Sequence, residues 1–106
     1  MAHTKVNYRD VDEVGEGMYF MRDALDCESL GVTVVECDPG WEGKEHHHRE
    51  KNHEEVYLLL EGKATMTVDG KTVDLAPGDA VRVSPDALRQ LHVGDQPARF
   101  VVAGAP

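Results

Sequence analysis

The sequence predicts an all-β chain, an antiparallel barrel or sandwich, and three observations carry that prediction. Short apolar or alternating runs recur roughly every 8–12 residues, with Gly, Pro, Asp or Asn between them. Asp69-Gly70 separates two alternating runs and is the dipeptide that a two-residue hairpin prefers. No segment keeps a helical period beyond the single turn that Asp23 to Ser29 would supply.

Taken in order, Gly17 to Arg22 and Leu30 to Cys37 are the first strands, rich in β-branched and aromatic side chains. Asp38-Pro39-Gly40 turns the chain, because proline presets φ and glycine tolerates the opposite sign. Glu45 to His48 is a polar strand that runs into a charged loop, Arg49 to His53. Val56 to Leu60 is apolar throughout, hence buried, and stops at Glu61-Gly62. Ala64 to Val68 alternates into the Asp69-Gly70 turn, and Lys71 to Leu75 answers it across the hairpin. Ala76 to Asp79 turns again before Ala80 to Val83, which breaks at Ser84-Pro85. Leu88 to Val93 and Arg99 to Ala103 are the last strands, with Gly94 to Pro97 between them. Val32, Val34, Val68, Val81, Val83, Phe100 and Val102 are the expected core, and Trp41 the expected lid at one barrel end.

At 106 residues the chain has the length of one domain. Its net charge of −9 comes from 20 acidic residues against 11 Lys and Arg. No basic stripe is available to neutralise phosphates, which disfavours nucleic acid and anionic membranes as partners. No apolar run approaches the ~20 residues of a membrane span. The first residues, Met-Ala-His-Thr-Lys-Val-Asn-Tyr, lack the apolar centre of a secretory signal, so the expectation is a cytoplasmic protein. Cys27 and Cys37 are then two reduced thiols.

The chemistry concentrates between Gly40 and Gly62. His46 and His48 project from one face of an extended segment, because side chains alternate, and His47 points the other way, to solvent. Glu54-Glu55 follows at the head of the buried strand. Neutral imidazoles converging with a carboxylate form a site for a divalent metal. Alternation sends one of the two glutamates inward and leaves the other to face out or pair with Lys or Arg. With Glu55 inward, Tyr57 and Leu59 follow it. Arg82, Arg89 and Arg99 would grip an acidic ligand if inward and serve solubility if exposed.

These residues, in this order, resemble the cupin superfamily, in particular its small single-domain members of the conserved-barrel type. The first cupin motif places Gly, five residues, His-x-His, a short gap, Glu, six residues and Gly. Gly40, His46, His48, Glu55 and Gly62 fit it, with a long gap at Arg49 to His53. The second motif, Gly followed by Pro-x-Gly-x-x-His, falls on Gly78 and on Pro85-Asp86-Ala87, and its terminal His position falls on Gln90. The resemblance implies a jelly-roll β-barrel (a double-stranded β-helix) over residues 30–103, with residues 1–29 as edge or dimer-forming strands. It also implies a central metal on His46, His48 and Glu55, with Gln90 as a weak further ligand or a hydrogen bonder. The spacing to Gly62 favours Glu55 over Glu54. His92, two residues past Gln90, shares its face and is expected in the lumen as a substitute ligand, an acid/base or a satisfied core histidine. Tyr57 is the other catalytic candidate, and His53 a spare ligand, a lid residue or a solvated side chain.

The implied cofactor is a divalent transition metal: Fe, Mn, Ni or Zn. The implied function is a small metal-binding barrel that acts on or binds a small polar molecule such as a sugar, a phenol or an organic acid. The alternative is a non-catalytic ligand-sensing barrel with weak metal or none. One fold hosts many chemistries, so the resemblance leaves enzyme and binding module both open. A homodimer is expected, built with a strand at Lys5 to Tyr8 or at Met18 to Met21.

Overall fold

Asp69 and Gly70 both take positive φ, 48° and 80°, as a two-residue hairpin turn of the primed type requires. That turn pairs β4 (Ala64–Val68) with β5 (Lys71–Leu75) in an antiparallel register from Ala64–Leu75 to Val68–Lys71. The computed structural model describes residues 2–106. Its other strands are β1 (Met18–Phe20), β2 (Gly31–Cys37), β3 (Glu54–Glu61), β6 (Ala80–Val83), β7 (Arg89–Val93) and β8 (Ala98–Ala105).

All strand pairings are antiparallel and build two sheets, ordered β1-β2-β8-β3-β6 and β5-β4-β7. The pairing of β2 with β8 over seven positions joins distant parts of the chain and closes the jelly roll. The inner faces of both sheets bury Leu59, Met66 and Phe100 completely, with Val35, Tyr57, Val83 and Leu91 around them. Each such side chain contributes about 1.5–3 kcal/mol when taken from water, which makes this layer the source of the fold's stability.

After β3 the chain passes a register shift between Leu59 and Glu61 and turns at Gly62, where φ is 85°. A Cβ at Gly62 would run into the Pro97 carbonyl and the backbone of Ala98. The glycine at this place in the motif is therefore set by backbone sterics.

Two expected elements differ. Glu45 to His48 is not a regular strand; the segment touches β7 through isolated bridges only, Glu42 to His92 and His46 to Arg89. Four steps on one side match three on the other, so one extra residue is accommodated, as in a bulge. The segment is too polar to be pinned by a buried face. No strand forms at Lys5 to Tyr8; a 3₁₀ turn at Tyr8–Asp10 takes its place, with the Asn7 side chain accepting from the Arg9 N–H (3.0 Å). Tyr8 then packs edge-on against Tyr19, centroids 5.3 Å apart. The N-terminal region supplies one edge strand, β1. The single turn expected near Asp23 to Ser29 lies at residues 22–26, where the Leu25 N–H donates to the Met21 carbonyl (2.9 Å), and nothing longer is helical there.

The core assignment also shifts on β2. Val35 and Cys37 are buried, while Val32 and Val34 are only half-buried on the other face. Both faces of Val32-Thr33-Val34-Val35 are nearly apolar, so alternation alone does not fix which one turns inward.

Candidate metal centre

His46 is held by a reciprocal backbone pair with Arg89: each N–H donates to the other's carbonyl at 2.9 Å. Residues paired in this way put their side chains on one face of the ladder, so His46 and Arg89 both enter the barrel. Nδ1 of His46 donates to the Lys44 carbonyl (2.9 Å), which leaves the lone pair on Nε2 facing the interior. His48 follows, its N–H donating to the Pro85 carbonyl (2.8 Å), and its ring meets that of His46 edge-on, centroids 4.9 Å apart.

Strand β3 brings the carboxylate. Glu55, Tyr57 and Leu59 turn inward, while Glu54 faces out and pairs with Arg82, both largely exposed. Glu55 stands opposite Gly104 of β8, where a Cβ would come within 3.0 Å of its Cγ, so the glycine makes room for the carboxylate. Oε1 of Glu55 accepts from the Tyr57 hydroxyl (2.8 Å) and from Nη2 of Arg89 (3.1 Å). Nε2 of His48 lies 3.1 Å from the same oxygen, and Nε2 of His46 3.9 Å.

The environment sets the charges. Burial alone would push the Glu55 carboxyl up, yet His46, the Tyr57 hydroxyl, His48 and the Arg89 guanidinium outweigh it and bring it down to about 2. Glu55 is an anion at any ordinary pH. His46 is shifted up, chiefly by Glu55, and His48 down, chiefly by burial. Burial and the charge of Glu55 hold the Tyr57 hydroxyl well above its usual range, so Tyr57 is a hydrogen-bond donor and not a base.

The structure brings His46, His48, Glu55 and Tyr57 together, and it sets Gln90 and His92 elsewhere. On β7 the side chains of Arg89, Leu91 and Val93 are buried, and those of Gln90 and His92 lie on the outer face. Gln90 donates to the Gly43 carbonyl (2.9 Å). His92 stands against Glu42 (3.3 Å) and Thr67 (3.4 Å), at a groove of about 460 Å³ that also takes in Lys63, Asp74 and Asp95. The expectation that Gln90 approaches the metal and His92 lines the lumen is thus corrected by one residue of strand phase. His47 is exposed, and His53 is half-buried with its ring 5.9 Å from that of His48. Trp41 packs against the core and donates through Nε1 to the Glu16 carbonyl (2.8 Å).

Arg89 is the residue that motif spacing misses. It is 1 % exposed and reaches the Ala87 carbonyl (2.6 Å) as well as Glu55. The signal was present: in Arg89-Gln-Leu-His-Val93 the apolar side chains are Leu91 and Val93, and alternation places Arg89 with them.

The donor set suits a divalent ion. One ligand atom from each of His46, His48 and Glu55 lies within 4.8 Å of the others. Bonds of about 2.0–2.2 Å to a common ion place such atoms roughly 3–4 Å apart, so a small closing movement is enough. Two imidazoles and a carboxylate would supply such an ion with the donors of a facial set.

Comparison with known proteins agrees with this architecture. The cupin domain family model matches residues 33–104. Glucose-6-phosphate isomerase of Pyrococcus abyssi is 35% identical over 84 residues, 68% of this chain and 44% of that protein. An uncharacterised protein of Methanocaldococcus jannaschii is 27% identical over 60 residues, 56% of this chain and 48% of that one. The chain spans less than half the length of these curated relatives. Among solved structures, a cupin protein from Bacteroides fragilis superposes with a TM-score of 0.80 at 27% identity, covering 99% of this chain and 85% of that one. A sugar phosphate isomerase of the cupin superfamily from Silicibacter pomeroyi gives 0.79 at 23% identity, covering 97% and 76%, a likeness of fold. Two antiparallel sheets closed by β2 and β8, an inward His-His-Glu cluster and a family match across most of the barrel lead to one conclusion: this chain belongs to the cupin family.

Proposed function

We propose that the protein is a small metal-binding cupin whose His46, His48 and Glu55 hold one divalent transition metal (Fe, Mn, Ni or Zn), and which acts on or binds a small polar molecule beside it. The observation that carries this reading is the convergence of both imidazoles on Oε1 of Glu55, at 3.1 and 3.9 Å. When bound, the ion would supply Lewis acidity at its open positions. Tyr57 orients the carboxylate through its hydroxyl, and the Lys44 carbonyl fixes the His46 tautomer. The names of two relatives, a glucose-6-phosphate isomerase and a sugar phosphate isomerase, support a sugar or its phosphate as the kind of ligand.

The test is metal analysis of the purified protein, followed by titration of the stripped protein with each of the four ions. One ion per chain, lost in His46→Ala and His48→Ala, is the expected result. No uptake of any of them, or uptake unchanged in both variants, would overturn the proposal. One observation favours the second reading, a non-catalytic ligand-binding barrel with weak metal: the Arg89 guanidinium already occupies Oε1 of Glu55.

We also propose a cytoplasmic homodimer. The outer face of the larger sheet carries Val32, Val34, Val101 and Ala103 beside the more exposed Val56 and Leu60, an unusual apolar surface in a chain of charge −9. Sedimentation should show a dimer that Val56→Lys weakens, and a wild-type monomer would contradict it.

A further inference from the structure

Arg89 is the single charged side chain in the fully buried set of the described residues. A guanidinium is a permanent cation, and burying it is unfavourable unless a partner offsets the lost hydration. Its ionic partner is Glu55. Nη1 is anchored separately on the backbone, by the carbonyls of Ala87 (2.6 Å) and Ser84 (3.3 Å), so the group does not simply swing with the carboxylate. Nε is buried and has no partner.

The consequence is one of charge. Neutral His46 and His48 contribute none, and the charge of Glu55 is cancelled by that of Arg89 at 3.1 Å. The four side chains sum to zero. A divalent ion in their midst would keep its full charge of two, where the same donors without the guanidinium would halve it. Negative charge to complete the site must then come from outside the chain. The way in lies on the imidazole side, where His46 and His48 are 37% and 25% exposed against 1% for Arg89.

We propose that Arg89 makes this a coupled metal–anion site: the small molecule that completes it is a carboxylate or a phosphate rather than a neutral sugar or phenol. The inference rests on the metal reading above and narrows its ligand class. Metal and anion bind with positive coupling, and by linkage each tightens the other by the same factor.

The experiment is a Mn²⁺ titration of the metal-stripped 106-residue chain, read by equilibrium dialysis and by the electron paramagnetic resonance signal of the bound ion. It is run alone, with inorganic phosphate, with acetate, and with glucose as the neutral comparator. Phosphate or acetate should tighten Mn²⁺ about tenfold or more, within the usual range of coupling between sites, and glucose should leave it unchanged. Whichever anion acts identifies the class. Arg89→Met should hold Mn²⁺ more tightly than the wild type and lose the anion effect. Should that variant fail to fold, the wild-type comparison of anion with glucose still decides. Uptake of Mn²⁺ that no anion alters would overturn the role given to Arg89 and leave the metal reading standing. No uptake of Mn²⁺, Fe²⁺, Ni²⁺ or Zn²⁺ would overturn both.

Discussion

His46 and Arg89 exchange backbone hydrogen bonds of 2.9 Å in both directions and therefore share one face of the ladder. Position 89, and not position 90, looks into the cluster. A histidine introduced by Gln90→His would join the outer face beside the Gly43 carbonyl, so metal affinity should stay within about twofold of the wild type. Arg89→His places an imidazole on the inner face and removes the competing cation. It should raise affinity about tenfold or more, since one added ligand and one lost repulsion act together. Competition against a chromogenic chelator measures both. A gain in Gln90→His that matches the gain in Arg89→His would contradict the strand phase.

The two glutamates at the head of β3 should separate cleanly by stability. Glu55→Gln leaves the guanidinium of Arg89 buried with no counter-charge, and breaking a buried pair in this way costs about 3 kcal/mol. Glu54 and Arg82 are more than half exposed, and their pair is worth less than about 1 kcal/mol, so Glu54→Gln should be nearly neutral. Urea unfolding of the metal-free proteins gives the comparison. Equal losses in the two variants would show that the inner pair is no more important than the outer one.

Much of this is legible in the sequence. β4, β5 and β6 fall on the residues that alternation and turn chemistry mark out, because Glu61-Gly62, Asp69-Gly70, Ala76 to Asp79 and Ser84-Pro85 bound the three runs. Parity sends only one of Glu54 and Glu55 inward, the spacing to Gly62 selects Glu55, and Tyr57 and Leu59 then follow. What failed was phase wherever another signal competed with it. Motif spacing pointed to Gln90, while the apolar pair Leu91 and Val93 pointed to Arg89, and packing follows the apolar pair. On β2 both faces are apolar, and the choice of Val35 over Val34 depends on pairing with Phe100, a contact between distant parts of the chain. The segment from Glu42 to His48 carries an extra residue against β7, and no local pattern announces a bulge.

Gly62 and Gly70 make a matched pair of backbone tests. Both have positive φ, 85° and 80°, where a Cβ costs about 1–2 kcal/mol. At Gly70 nothing lies within 4 Å of an added Cβ, so Gly70→Ala should cost little beyond that. At Gly62 the Cβ would overlap the Pro97 carbonyl in addition, and backbone has to move. Gly62→Ala should lose at least about 2 kcal/mol more than Gly70→Ala in thermal or urea unfolding. Similar losses would mean that the close approach to Pro97 relaxes freely.

The two thiols should differ in reactivity by far more than their exposure alone suggests. Cys37 is 3 % exposed, and burial, with the adjacent Asp38 charge adding to it, pushes its thiol up to about 12. A raised thiol value means that the reactive thiolate is scarce below that pH and grows only as pH climbs toward it. Cys27 lies in the turn region before β2 and is only half-buried. Iodoacetamide at pH 8 should therefore modify Cys27 in the native protein and leave Cys37 untouched, and raising the pH to about 10 should not change that order. Denaturation should release Cys37 to react at the ordinary rate, a loss of protection that mass spectrometry reads peptide by peptide. Native labelling of Cys37 at a rate comparable to Cys27 would show that the β2 end of the core opens locally, since a closed core offers the reagent neither access nor thiolate.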